Sequence, residues 1–161
     1  MTVRSAYSVL LALFLAACAS YGGYGLQPGT STADDVRRVM GPPAMTFDTR
    51  DGGQELIYPR GPMGNETYIA FVAADGRLAI IRQVLNDGNF DSLELGLSEE
   101  EVLRRLGPPR DGMSYPLSRT HSWDWKYMDT WGYPALFSVT FNAEGRVVSK
   151  YKERIERNRN R

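Results

Sequence analysis

Cysteine and histidine are nearly absent: the chain has one of each in 161 residues. A single cysteine excludes an internal disulfide framework and a cysteine-based zinc site, and a single histidine excludes a histidine-cluster metal centre. Neither sign of charge is in excess. Lys plus Arg and Asp plus Glu both number 19, so the basic surplus expected of a nucleic-acid binder is missing. No apolar run reaches the roughly 20 residues that span a bilayer; the longest is Val9–Ala17 (VLLALFLAA). Also missing are a Gly-Xaa-Ser-Xaa-Gly nucleophile elbow, a phosphate-cradling glycine loop and any ligand cluster with metal spacing. What remains is an ordinary globular composition, 42% hydrophobic and 24% charged, which argues against wholesale disorder. The length suits roughly one domain.

The one cysteine has a telling place. Arg4 supplies a small positive start, Val9–Ala17 fits the apolar region of a secretory signal, and Leu15-Ala16-Ala17-Cys18 ends it. This stretch resembles the bacterial lipobox. The resemblance implies cleavage before Cys18 and a diacylglycerol on Cys18. One acyl chain anchors only marginally; the two or three chains of bacterial lipoproteins imply stable attachment. Ser20 stands where aspartate would resemble an inner-membrane retention signal, which favours the outer membrane. Ala19–Gln27 (ASYGGYGLQ) is small, glycine-rich and poor in apolar residues, and predicts a flexible tether. About ten such residues have an r.m.s. span near 17 Å.

The rest of the chain is an internal repeat. Thr32-Ala-Asp-Asp-Val-Arg-Arg-Val-Met-Gly-Pro-Pro43 returns as Ser98-Glu-Glu-Glu-Val-Leu-Arg-Arg-Leu-Gly-Pro-Pro109. Ser98 with Glu101 predicts a capping box, and Thr32 with Asp35 a weaker one. Acidic residues fill both first turns, where the helix dipole favours them. Val36, Val39 and Met40, and Val102, Leu103 and Leu106, each mark one helical face. Gly then ends each helix and Pro-Pro forbids its continuation. Such short helices are unstable alone and must dock on something. Strands follow in both copies: Leu56-Ile57-Tyr58 and Trp123-Asp124-Trp125, then Tyr68–Val72 and Phe137–Phe141, the last with clean alternation. Asp75-Gly76 and Glu144-Gly145, each followed by Arg and another apolar run, predict hairpins. Asn86-Asp87-Gly88-Asn89 is polar and predicts the junction. The paired Arg37/Arg38 and Arg104/Arg105 predict solvated faces with local pairing to the first-turn acids.

The lipobox, the hydroxyl-capped short helix with Val and Gly-Pro-Pro, and the hairpins Val72-Ala-Ala-Asp-Gly-Arg77 and Phe141-Asn-Ala-Glu-Gly-Arg146 together resemble the BamE/SmpA/OmlA family of small outer-membrane lipoproteins. The resemblance covers most of Thr30 to Lys152. It implies a two-layer α+β fold and a role as an accessory lipoprotein of the machine that inserts β-barrels into the outer membrane. Here the module stands twice, an arrangement similar to the β-lactamase-inhibitor-like architecture. Only Cys18, as the lipidation site, carries over residue by residue.

Candidate chemistry is sparse. His121 has Ser118, Ser122 and Asp124 near it in sequence, but triad members converge in space and seldom as chain neighbours. A surface or strand-edge histidine is the plainer reading. Asn65-Glu66-Thr67 matches a glycosylation sequon and signals no more than a loop. All three tryptophans lie in the second copy, where Trp123, Trp125, Tyr127, Trp131 and Tyr133 follow closely. Alternation predicts Trp123 and Trp125 packed on one sheet face, opposite Asp124 and Lys126. Trp131 and Tyr133 flank Gly132 in an expected loop, exposed for a protein partner or lipid headgroups. The tail from Arg146 is basic, and its last part, including Arg154 and Arg157, is either a solvated end or a contact for anionic headgroups or an acidic partner.

The expectation is an α+β fold of two tandem modules, each a short helix packed on an antiparallel β-meander of three to four strands. The boundaries are residues 1–17 for the signal peptide, 18–28 for the lipidated tether, 29–86 and 92–153 for the modules, and 154–161 for a basic tail. The expected protein is an outer-membrane lipoprotein facing the periplasm, non-catalytic, without cofactor, metal, small-molecule substrate or nucleic acid. It would act as an accessory or scaffolding factor in outer-membrane protein assembly or envelope biogenesis, through an envelope protein partner. The alternative is a periplasmic protein-binding or enzyme-inhibitor module on the same fold.

Overall fold

The computed structural model describes residues 22–60 and 64–155. The expected signal peptide, Cys18 and Arg157 lie outside the described residues. The two copies form two α+β modules in tandem. The first is α1 (Ala33–Met40) followed by β1 (Met45–Asp48), β2 (Gln54–Pro59), β3 (Thr67–Val72) and β4 (Leu78–Gln83). A short α2 (Asp87–Asp91) leads into the second: α3 (Glu99–Leu106), β5 (Asp111–Tyr115), β6 (Thr120–Met128), β7 (Pro134–Phe141) and β8 (Val147–Arg154). Each module has its own antiparallel four-stranded meander, β1-β2-β3-β4 and β5-β6-β7-β8. The two sheets are separate. Among the described residues no helix is long and apolar enough to cross a membrane.

Local chemistry explains the helix ends. Asp35 N–H donates to Thr32 Oγ1 (3.2 Å) and Thr32 N–H donates to the Asp35 carboxylate (2.9 Å). Glu101 and Ser98 repeat this at 3.3 and 2.7 Å. The first box is thus as complete as the second, because the aspartate side chain still reaches the N-cap amide. Gly41 and Gly107 leave the helices at φ 84° and 74°, with ψ near 180°, a region almost closed to residues with a Cβ.

The helix cap and the hairpin of each module turn out to be partners. Thr32 bridges Arg77 and Ser98 bridges Arg146. Ala33 N–H donates to Gly76 O (3.0 Å) and Glu99 N–H to Gly145 O (3.2 Å). Both helices therefore start at the hairpin end of their sheets and run toward the opposite end, as β4 and β8 do. That pairing explains why the capping and acid-Gly-Arg motifs recur together.

Register defines the sheet faces. On one face of the first sheet, Leu56, Tyr58, Ala70, Val72 and Leu78 pack against Val36 and Met40 of α1. On the other, Ile57 and Ile69, with Met45, Phe47 and Phe71, pack into the core of the second module. There α3 buries Val102 and Leu106 against Trp125, Phe137, Val139, Phe141 and Val147. So α3 lies between the two sheets and the first sheet is covered on both faces. The Arg104 side chain crosses the junction: it pairs with Glu55 (3.3 Å), donates to Asp48 O (3.1 Å) and lies 4.5 Å over the Phe47 ring. The expectation of a purely solvated arginine face is corrected there. Arg37, Arg38 and Arg104 do pair locally, with Asp34, Asp35 and Glu100.

Two further expectations change. The polar junction is a helix, capped by Asn86, whose Phe90 is fully buried and stacks on Phe137 at 4.0 Å. Burial of so large a side chain contributes about 1.5–3 kcal/mol, enough to make the junction a joint and not a spacer. The tether also ends earlier than Gln27. Gly23 is buried, with Ile81 and Met40 against it, and Leu26 packs on the core of the first module.

Gly107 sits at this junction, where an added Cβ would lie 2.8 Å from both Ile57 and Thr67, whereas one on Gly41 would meet nothing within 4 Å. Both substitutions share the backbone strain. Gly107→Ala is therefore expected to destabilise by about 1–3 kcal/mol more than Gly41→Ala, read as the difference in urea unfolding free energy. Equal effects would mean the modules do not meet at Gly107.

Candidate functional site

The loop between β6 and β7 presents aromatic side chains on a rigid frame. Asp129 N–H donates to Tyr133 O (2.9 Å) and Gly132 N–H to Asp129 O (2.8 Å). Gly132 takes φ 77°, a left-handed turn position that suits glycine. The Asp129 carboxylate receives Trp131 N–H (2.9 Å) and Tyr133 N–H (2.8 Å) on one oxygen and Arg154 Nε (2.6 Å) on the other. Burial acts to raise its pKa, but these donors outweigh burial and hold it below the usual carboxylate value. The loop therefore projects Trp131, 78% exposed, and Tyr133, 57% exposed. The Arg154 guanidinium sits 4.9 Å over the Tyr133 ring.

A second carboxylate ties this loop to the junction. Asp87, at the start of α2, receives Thr130 Oγ1–H (2.7 Å), Thr130 N–H (2.9 Å) and Tyr127 O–H (3.0 Å). Lys152 lies 3.1 Å from Asp87 and 2.7 Å from Asp91. The Thr130 hydroxyl, then the other donors, hold the Asp87 carboxyl well below its ordinary range. Burial, and then the hydrogen bond to Asp87, push the Tyr127 phenol up. The bond to Asp91 is the main cause of the raised Lys152 pKa. The cleft that these groups line measures about 280 Å³, below the range of about 300–1,000 Å³ typical of small-molecule pockets. The arrangement ties the loop after β6 to α2 and β8.

The sequence-derived candidates separate as follows. Trp131, Tyr133 and Arg154 come together. Arg154 is the last residue of β8 and not the start of a tail. Trp125 is buried and its indole N–H donates to Gly107 O (3.2 Å); Trp123 is half-buried on the same face, packed on Phe141. Asp124 and Lys126 point the other way. His121 lies 3.0 Å from Glu99 and stacks on Phe141. Ser118 pairs with Thr120, and Asp124 accepts from Ser138. Among the described residues no hydroxyl is hydrogen-bonded to His121, and no three His, Cys, Asp or Glu side chains are grouped to hold a metal. Thr67 of the sequon is buried at the start of β3.

The network of Asp87, Asp91, Asp129, Thr130 and Lys152 emerges from the tertiary structure. An aspartate three residues before a glycine, as in Asp129-Thr-Trp-Gly132, is a turn signal that points to the loop frame. Nothing local points to Asp87, whose loop partner is 43 residues away.

No protein-family model matches the chain, and comparison with curated proteins gives no match. Among solved structures the chain is similar to the osmotically inducible lipoprotein OsmE, with TM-score 0.35 and 24% identity over 39% of this chain and 71% of that one. It is similar to YjgB, a DUF4309 family protein of Bacillus subtilis, with TM-score 0.31 and 16% identity over 82% and 84%. It is also similar to an extracellular SCP-domain protein of Bacillus anthracis, with TM-score 0.29 and 11% identity; there it spans 43% of that chain and 76% of its own length.

The Asp87 network carries a sign that can be tested. Its folded-state pKa is below the unfolded value of about 3.9, so the stability it contributes is complete above pH ~4 and lost as pH falls through the depressed value. Asp87→Asn is expected to destabilise by about 1.5–3 kcal/mol at neutral pH, the range for hydrogen bonds to a charged group. The gap from wild type should narrow progressively below pH ~4 in urea titrations. A pH-independent gap would show that the charge is not what holds the loop.

Proposed function

We propose that this protein is an envelope lipoprotein, held in the outer membrane through Cys18 with its two modules in the periplasm. It serves there as a non-catalytic accessory or scaffolding factor in outer-membrane protein assembly or envelope biogenesis. The lipobox-like start and the resemblance of Thr30 to Lys152 to the BamE/SmpA/OmlA family support the class. One observation carries the mechanism: the folded body begins within a few residues of Cys18. Gly23 is already buried and Leu26 packs on the core. Gly22 stands four residues after Cys18, a reach of at most about 14 Å when fully extended. A body held that close works on what is at the membrane surface.

The non-catalytic part of the reading rests on how the polar groups are spent. Asp87, Asp129 and Lys152 hold a loop in place, and His121 is engaged by Glu99. These bonds position backbone and side chains; they do not aim a nucleophile or a base at a cleft.

Crosslinking and affinity capture from native envelopes test the proposal. Subunits of a barrel-insertion or envelope-assembly complex are expected with the wild type and lost with Cys18→Ala. Capture of a soluble enzyme equally by both forms would replace this reading with the inhibitor module. His121→Ala is expected to complement a deletion strain as the wild type does. Failure by a folded variant would point to chemistry at His121.

A further inference from the structure

The loop that carries Trp131 shares its end of the second sheet with other exposed apolar side chains. Met128 and Ile155 are each 42% exposed at the same end of the second sheet as Trp131 and Tyr133. Met128 pairs with Pro134 across β6 and β7, and Ile155 N–H donates to Pro134 O (2.9 Å). These side chains therefore gather at one end of the second sheet. Among the described residues, Arg154 here is paired with Asp129, and Lys152 with Asp87 and Asp91. What Trp131, Tyr133, Met128 and Ile155 offer a partner is apolar and aromatic surface. Exposed patches of this kind mark protein or membrane contacts.

The course of the chain decides between them. α1, β4, α3 and β6 all run from the hairpin end of their modules to the opposite end. Gly23 is buried against Met40, the last residue of α1, and Ile81 of β4. From there β4 ends at Gln83, Val84 and Leu85 enter the core, and Asp87 binds Thr130 beside Trp131. Gly107, at the end of α3, meets Ile57 and Thr67 at that same end of the first sheet. The N-terminal segment and the aromatic patch thus leave the molecule from one end. Tyr24, 89% exposed, adds an aromatic there. With Cys18 only about 14 Å before Gly22 at full stretch, this is the end that a lipid on Cys18 holds against the bilayer. Tyr and Trp favour the boundary between headgroups and acyl chains because each joins an apolar ring to a polar atom.

We infer that the patch of Met128, Trp131, Tyr133 and Ile155 seats in the phospholipid interface next to the Cys18 lipid. It is a second membrane contact, one that fixes the orientation of the two modules. The inference rests on the lipid-anchor reading above. Arg154 serves it by holding Tyr133 and Asp129, not by recruiting anionic lipid.

The test uses the full mature protein in vesicles of phosphatidylcholine, with and without lipid brominated near the top of the acyl chains. Trp125 is buried and Trp123 half-buried, so Trp131 is the exposed reporter and Trp131→Phe subtracts it. Expected are a blue shift on reconstitution and loss of the Trp131 emission in brominated vesicles, both absent from Trp131→Phe. An unshifted, unquenched Trp131 overturns the inference. So does quenching that appears only when anionic lipid is added, or a Trp131 shielded in native envelopes by a crosslinked protein but not in protein-free vesicles. The intact mass reads the Cys18 lipid independently. Lipid without quenching overturns the patch contact alone. Quenching without lipid supports the contact and overturns the anchor, and absence of both overturns both.

Discussion

The burial of α3 between two sheets is the contact on which the rest of the molecule depends. A helix of eight residues cannot persist by propensity, because nucleation costs more than so few hydrogen bonds return. It persists here because Val102 and Leu106 are removed from water by the second sheet while Arg104 and Gly107 press on the first. The same placement covers the apolar face of the first sheet, which its own helix, packed on the other side, leaves open. Neither module buries its surface alone. The joint at α2 is fastened to the second module: Phe90 is buried against Phe137 and Tyr127, and Asp87 binds the loop after β6.

The copies differ where stacking requires it. The first sheet turns Ile57, Ile69 and Phe71 toward α3. In the second sheet the corresponding positions are Asp124, Ser138 and Thr140, on the face that no helix covers. Repeat arrays need a terminal unit whose outer face tolerates water, and Asp124, Ser138 and Thr140 make this face more polar than the face that meets α3 in the first sheet. An aspartate at Ile57 would be buried without a partner, and an isoleucine at Asp124 would widen the apolar surface open to water. The repeat is conserved in its caps and hairpins, which each module needs for itself. It has diverged on the faces, whose environment depends on the place of the module in the pair.

The polar residues at the far end of the second module follow the same economy. Asp87 and Asp129 accept hydrogen bonds from backbone and side chains until their capacity is nearly used. A carboxylate so engaged favours its charged form and resists reorganisation. The consequence is a loop whose exposed aromatic rings are held before any partner arrives, which lowers the ordering cost of contact.

By itself the sequence determined what short-range chemistry governs. Capping boxes, Gly-Pro-Pro stops, acid-Gly hairpins and the alternation through Phe137, Val139 and Phe141 announce two copies of one α+β unit. Gly132 between Trp131 and Tyr133 also signalled a loop there, and the structure supplied its exposure. Each of these signals acts within a few residues, so propensity and periodicity suffice to reveal it. The tertiary structure alone decided that the sheets are separate, that α3 serves both, that Asn86–Asn89 begins a helix and that Leu26 belongs to the body. It also brought Asp87 to Thr130 and Lys152 to Asp91. Those outcomes rest on which apolar faces meet across the whole chain, and a side chain does not record in its neighbours a partner that only packing brings near.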